Sequence, residues 1–489
     1  MFNALKKINE LIDKRTKIQF VLLFVLLIIK SFLDGFGLGM IAPYIAAIGD
    51  SSVIFKNSFF QKINIYTNIE TSKQLIMLMS IIIVIFFLLK NLFSLFVMYY
   101  QSRLVFTNRS FLGRELFEAY MNAPYSYHLE HNTAKLDRNI RFESTNVYAL
   151  VQSFLLLCSN VFLTFSIFTV LLLANWQAVL GMSVFIILFS SIFLLFSGKY
   201  SKVFGSEVQE SQLHIGQAMK EGLSSIIEVK LHNIESFFPL RYFKQMMINA
   251  KANWRQATLG LAPTLFFEIL AVSVLVSVII ILSIRNTDLI HVLPILGLFS
   301  FAFIRLIPSV TAIIKSLQDI KFLIPAVDVV HNDFQNLELI TNQSVQNNKP
   351  FVESFKFNNL LIQDISFSFP NKKRINVIKG LSMRISRGQA IGITGPSGSG
   401  KTTLINLILG LLKHNNGEIN FNGQALQNNL TRWRSLIGYV PQSITLIDAS
   451  IRENIALGLE EDEINDKKVW SALEESNLFE FVKDLPKQL

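Results

Sequence analysis

Long apolar runs broken by charged stretches fill the first two thirds of the chain, and shorter alternating runs fill the last third. A helix needs about twenty apolar residues to cross a bilayer. Six stretches qualify: Ile18–Ile48, Leu75–Tyr100, Leu150–Ala174, Trp176–Gly198, Leu259–Ile284 and Leu289–Pro308. They predict an all-α, six-helix membrane domain over residues 1–330, with a tight turn at Asn175. Met1–Lys17 is polar and lysine-rich, with Phe2, Leu5, Ile8 and Ile12 at helical spacing, and predicts a helix lying on the membrane surface. The charge asymmetry described below requires the first span to be retained, so this segment is read as an anchor and not as a cleaved leader.

Gln101–Ala149 and Lys199–Thr258 are expected to continue as helices beyond the bilayer, because apolar residues such as Leu112, Leu116, Ala119 and Tyr120 keep helical spacing. Each is broken once, at Asn122-Ala123-Pro124 and at His232–Pro239, where a short crosswise helix is expected. Asp50–Lys73, with Phe59, Phe60 and Ile63, reads as a surface helix. His331–Pro350 is rich in Asn and Gln and reads as a linker. Residues 351–489 then form a second domain, of α/β type. Phe351–Ser386 predicts strands, Gly417–Phe421 with Asn422-Gly423 predicts a hairpin, and Arg432–Gly438 leads into a short strand ending at Gln442.

Charge sharpens the membrane reading. The chain has 489 residues, 51% of them hydrophobic, and a net charge of +10. Residues 1–330 hold 28 Lys and Arg against 19 Asp and Glu, whereas the remainder holds 17 against 16. The excess therefore sits between spans and does not mark a nucleic-acid surface. Arg103, Arg109, Arg114, Lys135, Arg138 and Arg141 lie in the second-to-third connection, and Lys199 to Arg255 in the fourth-to-fifth, while the Asn175 turn has no charge and the fifth-to-sixth connection has only Arg285 and Asp288. By the positive-inside rule both long connections and both termini are cytoplasmic. The one cysteine, Cys158, excludes an intrachain disulfide.

Chemistry is concentrated in Gly395-Pro396-Ser397-Gly398-Ser399-Gly400-Lys401-Thr402-Thr403, which fits the G-x-x-x-x-G-K-[ST] phosphate loop. Gln389–Thr394 before it reads as a buried strand and Thr403–Leu409 after it as a helix. Glycines let backbone N–H groups turn inward around a phosphate chain, and the helix aims its positive end at the same anion. Lys401 would neutralise the terminal phosphates of ATP, and the Thr402 hydroxyl would enter the shell of Mg2+.

Six spans with long cytoplasmic helices followed by a phosphate loop resemble an ABC exporter half-transporter, over essentially the whole chain. Ile437-Gly438-Tyr439-Val440-Pro441-Gln442 is similar to that family's Q-loop, and Ala449–Ile455 to the segment after it. The resemblance implies that Gln442 touches Mg2+ and senses the γ-phosphate, and that Phe369 stacks on adenine where the family more often has Tyr. It also implies a homodimer that sandwiches two ATP molecules. The family's signature motif, Walker B acids and switch histidine do not occur in these residues, so no catalytic base can be named, and the chain reads as a fragment that binds ATP without hydrolysing it alone.

Cargo is the least constrained point. Lys90, Glu268 and Arg305 fall at one depth, about 24 Å from the outer ends of their spans at 1.5 Å per residue. Lys30 and Asp34 share a helix face. The expected pairs are Glu268 with Arg305 or Lys90, and Lys30 with Asp34, leaving one cation over. With Arg103 and Arg255 at the inner mouths, the resulting cavity would suit an anionic headgroup. The layout and outer segment also resemble bacterial flippases of lipid-linked oligosaccharides. This places the chain in a bacterial inner membrane, carrying a lipid-linked saccharide or other anionic lipid. A peptide or drug exporter, or a tethered nucleotide-binding subunit without transport, are the alternatives.

Overall fold

The computed structural model describes residues 2–40, 44, 48, 71–284, 289–344, 356–369, 376–486 and 489; within these, side chains are not described at 38, 72, 173–182, 185, 274–275, 277–279, 281–303, 305 and 340–344. The chain forms two compact units, Met1–Gln346 and Asn347–Leu489.

The first unit is helical. Helix α1 (Phe2–Leu11) precedes α2 (Lys14–Gly39), α3 (Ser72–Met121), the short α4 (Tyr125–Glu130) and α5 (Thr133–Arg138), and a π-helical turn at Asn139–Glu143. Then come α6 (Ser144–Ser224), the short α7 (Ile226–Leu231), α8 (Phe237–Ile284) and α9 (Leu289–Ser344). At 50 residues α3 is about 75 Å long, well over twice the hydrocarbon thickness of a bilayer, so the spans do extend as helices beyond it. Both expected breaks are present: α4 follows Pro124, and α7 precedes the turn at His232. Leu112, Leu116 and Tyr120 are buried, as their spacing required.

Helical bonding runs unbroken through α6, yet its two halves pack beside one another. Near its start, Asn160 and Thr164 hydrogen-bond Ser309 at 3.0 and 2.8 Å. Further on, Gly205 lies against the carbonyl of Phe322, and Gln209 donates to that of Pro325 at 3.3 Å. Ser309 and Pro325 are about 24 Å apart along α9, whereas a straight helix would separate Thr164 from Gln209 by about 68 Å. The chain therefore reverses within α6, between the third and fourth spans. Five helical segments, Lys14–Gly37, Lys73–Met121, Thr133–Leu172, Ile186–Ser224 and Phe237–Ser273, are long and apolar enough to cross a membrane among the described residues. Leu289–Pro308 is helical, with most of its side chains outside the description. Outward apolar residues such as Val84 (65% exposed) and Leu195 (77%) fit hydrocarbon and not water.

The first unit corrects the linker reading. Residues 331–344 are helical, because Val330, Asp333 and Leu337 continue the buried stripe of α9 at helical spacing while Asn332, Gln335 and Asn336 occupy the outer face. The rest of that stretch, and the surface helix expected at 50–70, lie outside the described residues. Asp333 is held in a buried polar knot, accepting from Tyr120 Oη (2.6 Å) and Asn139 Nδ2 (2.7 Å). Burial and the adjacent Asp333 charge raise the Tyr120 pKa, which keeps its proton in place as donor. Helix α1 is tied to α9 through Lys7–Asp328 (2.6 Å) and Glu10–His331 (2.7 Å), with Ile8 buried beneath.

The second unit is built on an antiparallel sheet of order β2-β1-β3-β4, comprising β1 (Asn359–Phe367), β2 (Ile378–Ser386), β3 (Asn416–Phe421) and β4 (Gln424–Ala425). Asn422 and Gly423 both have positive φ, 49° and 81°, the two-residue turn expected of an Asn-Gly hairpin. The pairing of β1 slips at Asp364, whose carbonyl comes so close to Gly417 that a Cβ there would lie 2.4 Å away. Helix α10 (Lys401–Ile408) inserts Leu404 and Leu407 into the core made by Leu360, Ile362, Ile365, Phe421 and Trp433. Beyond it lie a 3-10 turn (Leu426–Asn428), α11 (Leu430–Arg434), α12 (Ile451–Ile455), α13 (Asp466–Glu475) and α14 (Phe479–Lys483).

Two expected strands are not formed. Gln389–Thr394 and the run ending at Gln442 are extended but unpaired, with Ile391 39% and Val440 85% exposed. A strand buried in a parallel sheet is held by neighbours on both sides, and among the described residues none pairs with either segment.

Candidate functional site

The phosphate loop hangs between the unpaired segment 389–394 and α10. Gly400 sits immediately before the helix in a left-handed conformation (φ 92°), and a Cβ there would lie 2.9 Å from Val377 Cγ1 and 3.2 Å from its carbonyl oxygen. Glycine is thus required twice, by backbone shape and by the approach of β2's leading residue. Gly398 is also left-handed (φ 79°), with open space where a Cβ would stand. That leaves the loop's concave side lined by backbone.

Lys401 opens α10 and folds back over the loop. Its Nζ donates to the carbonyls of Gly395 and Pro396, both at 2.8 Å. An ammonium has three N–H donors, so one is left beyond these two bonds. Ser399 N closes the turn on Pro396 O at 3.2 Å. Thr402 is exposed at the first turn of the helix, its hydroxyl at the positive end of the dipole. The far end of α10 is pinned where Trp433 Nε1 donates to Ile408 O and Arg434 to Gly410 O, both at 2.7 Å. Together these fix the helix axis that aims at a bound anion.

Phe369 is half-buried just past β1, edge-on to Phe367 with ring centres 5.0 Å apart. Its neighbour in space is the strand pair whose Val377 also contacts the phosphate loop, since Val377 N donates to Phe367 O at 2.8 Å. Gln442 stands exposed on the segment between α11 and α12. The Ala449–Ile455 segment forms α12, capped by Ser450 and Glu453 bonding each other's backbone N–H groups. Arg452 then locks α12 to the following segment through Asp466, Glu461 O and Ile464 O.

In the membrane unit the structure re-pairs the ionisable residues. Lys90 is buried (side chain 5% exposed) and bonds Asp34 of α2 at 2.6 Å, with the Phe87 ring 4.8 Å from its Nζ. The expected partners, Glu268 for Lys90 and Lys30 for Asp34, do not hold. Lys90 on α3 faces α2, and Asp34 turns toward it and away from half-buried Lys30. Glu268 is exposed on α8, and Arg255 lies over the rings of Trp254 and Phe204 at 5.6 and 5.9 Å. The Arg305 side chain lies outside the described residues.

The comparisons agree with this geometry. Residues 378–489 match the ABC transporter family. An ATP-dependent lipid A-core flippase of Francisella tularensis subsp. tularensis is 24% identical over 385 residues, 76% of this chain and 60% of that protein. The Pseudoalteromonas translucida protein of the same name is 26% identical over 389 residues, 77% and 64%. The ABC-type transmembrane transporter verA of Clonostachys rogersoniana is 34% identical over 126 residues, 26% of this chain and 10% of that one. The chain thus spans less than two thirds of the length of these relatives. The fold matches the structure of a bacterial Atm1-family ABC exporter with ATP bound (TM-score 0.68, 16% identity), covering 97% of this chain and 79% of the other.

Proposed function

We propose, from a chain that carries an ABC transporter domain at 378–489 behind membrane helices of exporter fold, that it binds MgATP at 395–403 and uses it to move an anionic lipid across the membrane. The observation that carries the reading is Lys401. Its ammonium is held over the loop by two carbonyls with a third N–H still to give, at the start of a helix pinned at its far end. Such a site binds the phosphate chain of ATP, with Mg2+ taken by Thr402 and, in the closed site, Gln442, and the base stacked on Phe369. The loop, α10 and Thr402 are suited to hold a metal-bound triphosphate: backbone N–H groups and an ammonium for charge, a hydroxyl for the cation.

The lipid reading is supported by the breadth of similarity to lipid A-core flippases and by the membrane charges. Lys90 and Asp34 neutralise one another, leaving Lys30, Arg305 and Glu268 with one net positive charge. A lipid-linked saccharide or similar anionic lipid in a bacterial inner membrane fits that sign. The working unit is a homodimer, each copy bringing the spans and phosphate loop described here, with the long connections and the phosphate loop on the cytoplasmic side. The test is ATP hydrolysis by the protein, as its gene encodes it, in vesicles carrying polyprenyl lipids with either diphosphate or neutral headgroups. The diphosphate lipid is expected to stimulate hydrolysis several-fold over the neutral one, and Lys30→Ala with Arg305→Ala to remove the difference. Equal stimulation by both, or hydrolysis by a strict monomer under crosslinking, contradicts the proposal.

A further inference from the structure

A cavity of about 590 Å³ opens where α1 turns into α2, walled by residues 11–19, 100–115 and Tyr148. The walls start at span ends: α2 enters its apolar run at Ile18, the second span closes at Tyr100 and the third opens at Leu150. The cavity therefore begins at the level of lipid headgroups, on the face bearing the Lys and Arg excess, and continues along α3 to Glu115, about 22 Å beyond Tyr100. Its volume falls within the range of small-molecule sites.

Its lining is ordered by depth. Thr16, Asn108, Leu104, Leu112 and Tyr148 are buried and form the floor, where Thr16 Oγ1 donates to Asn108 Oδ1 at 2.8 Å. Four charges stand exposed on the rim: Arg15, Arg103, Asp13 and Glu115. Asp13 accepts from Thr16 N at 3.1 Å, and hydrogen bonding from Thr16 holds its carboxyl below the usual range. Burial raises Glu115, and the Asp13 and Glu118 charges raise it further against the lowering effect of Arg114, while Arg15 helps to lower Asp13. Asp13 and Glu115 also bear on the Tyr148 hydroxyl. Among the described residues, no ion pair engages Arg15, Arg103, Asp13 or Glu115. A cavity with two unpaired guanidinium groups and two mutually repelling carboxylates is complementary to a ligand carrying both signs.

We infer that this cavity binds the headgroup of a zwitterionic phospholipid, its phosphodiester on Arg15 and Arg103 and its primary amine between Asp13 and Glu115. Guanidinium meets phosphate as a two-pronged donor. A primary ammonium can hydrogen-bond both carboxylates, which a quaternary choline cannot. The acyl chains then run along exposed apolar residues of α2 and α3, such as Ile18, Val21 and Phe96. Arg103, expected at the inner mouth of the transport cavity, lines this one instead, and none of Lys30, Lys90, Arg255 or Glu268 does.

The test is native mass spectrometry of the purified chain in mild detergent with equal phosphatidylethanolamine, phosphatidylglycerol and phosphatidylcholine. Phosphatidylethanolamine is expected to be retained preferentially. The paired change Arg15→Gln with Arg103→Gln is expected to cut its retention by about tenfold or more, the loss of a charge-assisted hydrogen bond. Glu115→Gln is expected to narrow the preference over phosphatidylglycerol. Thermal unfolding of each variant in detergent reports that its membrane unit is folded, and Arg15→Gln alone, on an exposed rim position, serves if the pair does not fold. Equal retention of the three lipids by the unaltered chain overturns the inference. So does unchanged phosphatidylethanolamine retention in a folded arginine variant.

Discussion

Lys401→Ala is expected to lower MgATP affinity by roughly 30- to 1,000-fold, the equivalent of about 2–4 kcal/mol. Two losses combine. The terminal phosphates lose their main countercharge, and charge-assisted hydrogen bonds are about twice as strong as neutral ones. The loop also loses the two 2.8 Å bonds that hold the carbonyls of Gly395 and Pro396, so its backbone is less ordered before nucleotide arrives. Lys401→Arg keeps the charge but brings a longer planar fork into a space shaped for a point charge, and is expected to recover only part of the affinity. Calorimetric titration of the purified chain with MgATP measures both. Affinity unchanged in Lys401→Ala would remove the nucleotide from this loop.

The largest effect on stability is expected at Lys90→Met. The change leaves the Asp34 carboxylate inside the membrane unit without its 2.6 Å partner. Removing one member of a buried pair costs about 3–5 kcal/mol, because the remaining charge stays desolvated. The double change Lys90→Met with Asp34→Leu removes both charges and is expected to return to within about 1 kcal/mol of the original, since apolar replacements of buried pairs are often neutral. Thermal unfolding in detergent, with the four proteins of the cycle compared, gives the coupling directly. A Lys90→Met protein as stable as the original would mean that the pair does not form in the membrane.

That pair marks what the sequence could not disclose. The spans were legible because hydrocarbon requires about twenty apolar residues wherever a helix crosses it, and the Asn-Gly hairpin follows from a local rule. Rotation was not legible: α3 turns Lys90 toward α2, and Asp34 meets it there. In the same way, spacing of four suggested Lys30 with Asp34, although a weak pair along one helix yields to a desolvated pair between two helices. The Asn/Gln-rich stretch misled through composition. Its buried positions, Val330, Asp333 and Leu337, keep helical spacing, but an aspartate within the stripe hides it, and only the partners Tyr120 and Asn139 make that burial tolerable. At the phosphate loop the motif supplied Gly400, Lys401 and Thr402. It was silent on Val377, whose carbonyl makes Gly400 obligatory, and on Trp433, which fixes the helix from its far end. Both act across long sequence separations, where pattern has no reach.

The most direct test of the central claim is transbilayer movement of a fluorescent diphosphate-bearing lipid in vesicles containing the protein as its gene encodes it. Movement is predicted to require both ATP and Mg2+, and to stop with Lys401→Ala. Movement at the same rate without nucleotide, or undiminished in Lys401→Ala, would contradict it.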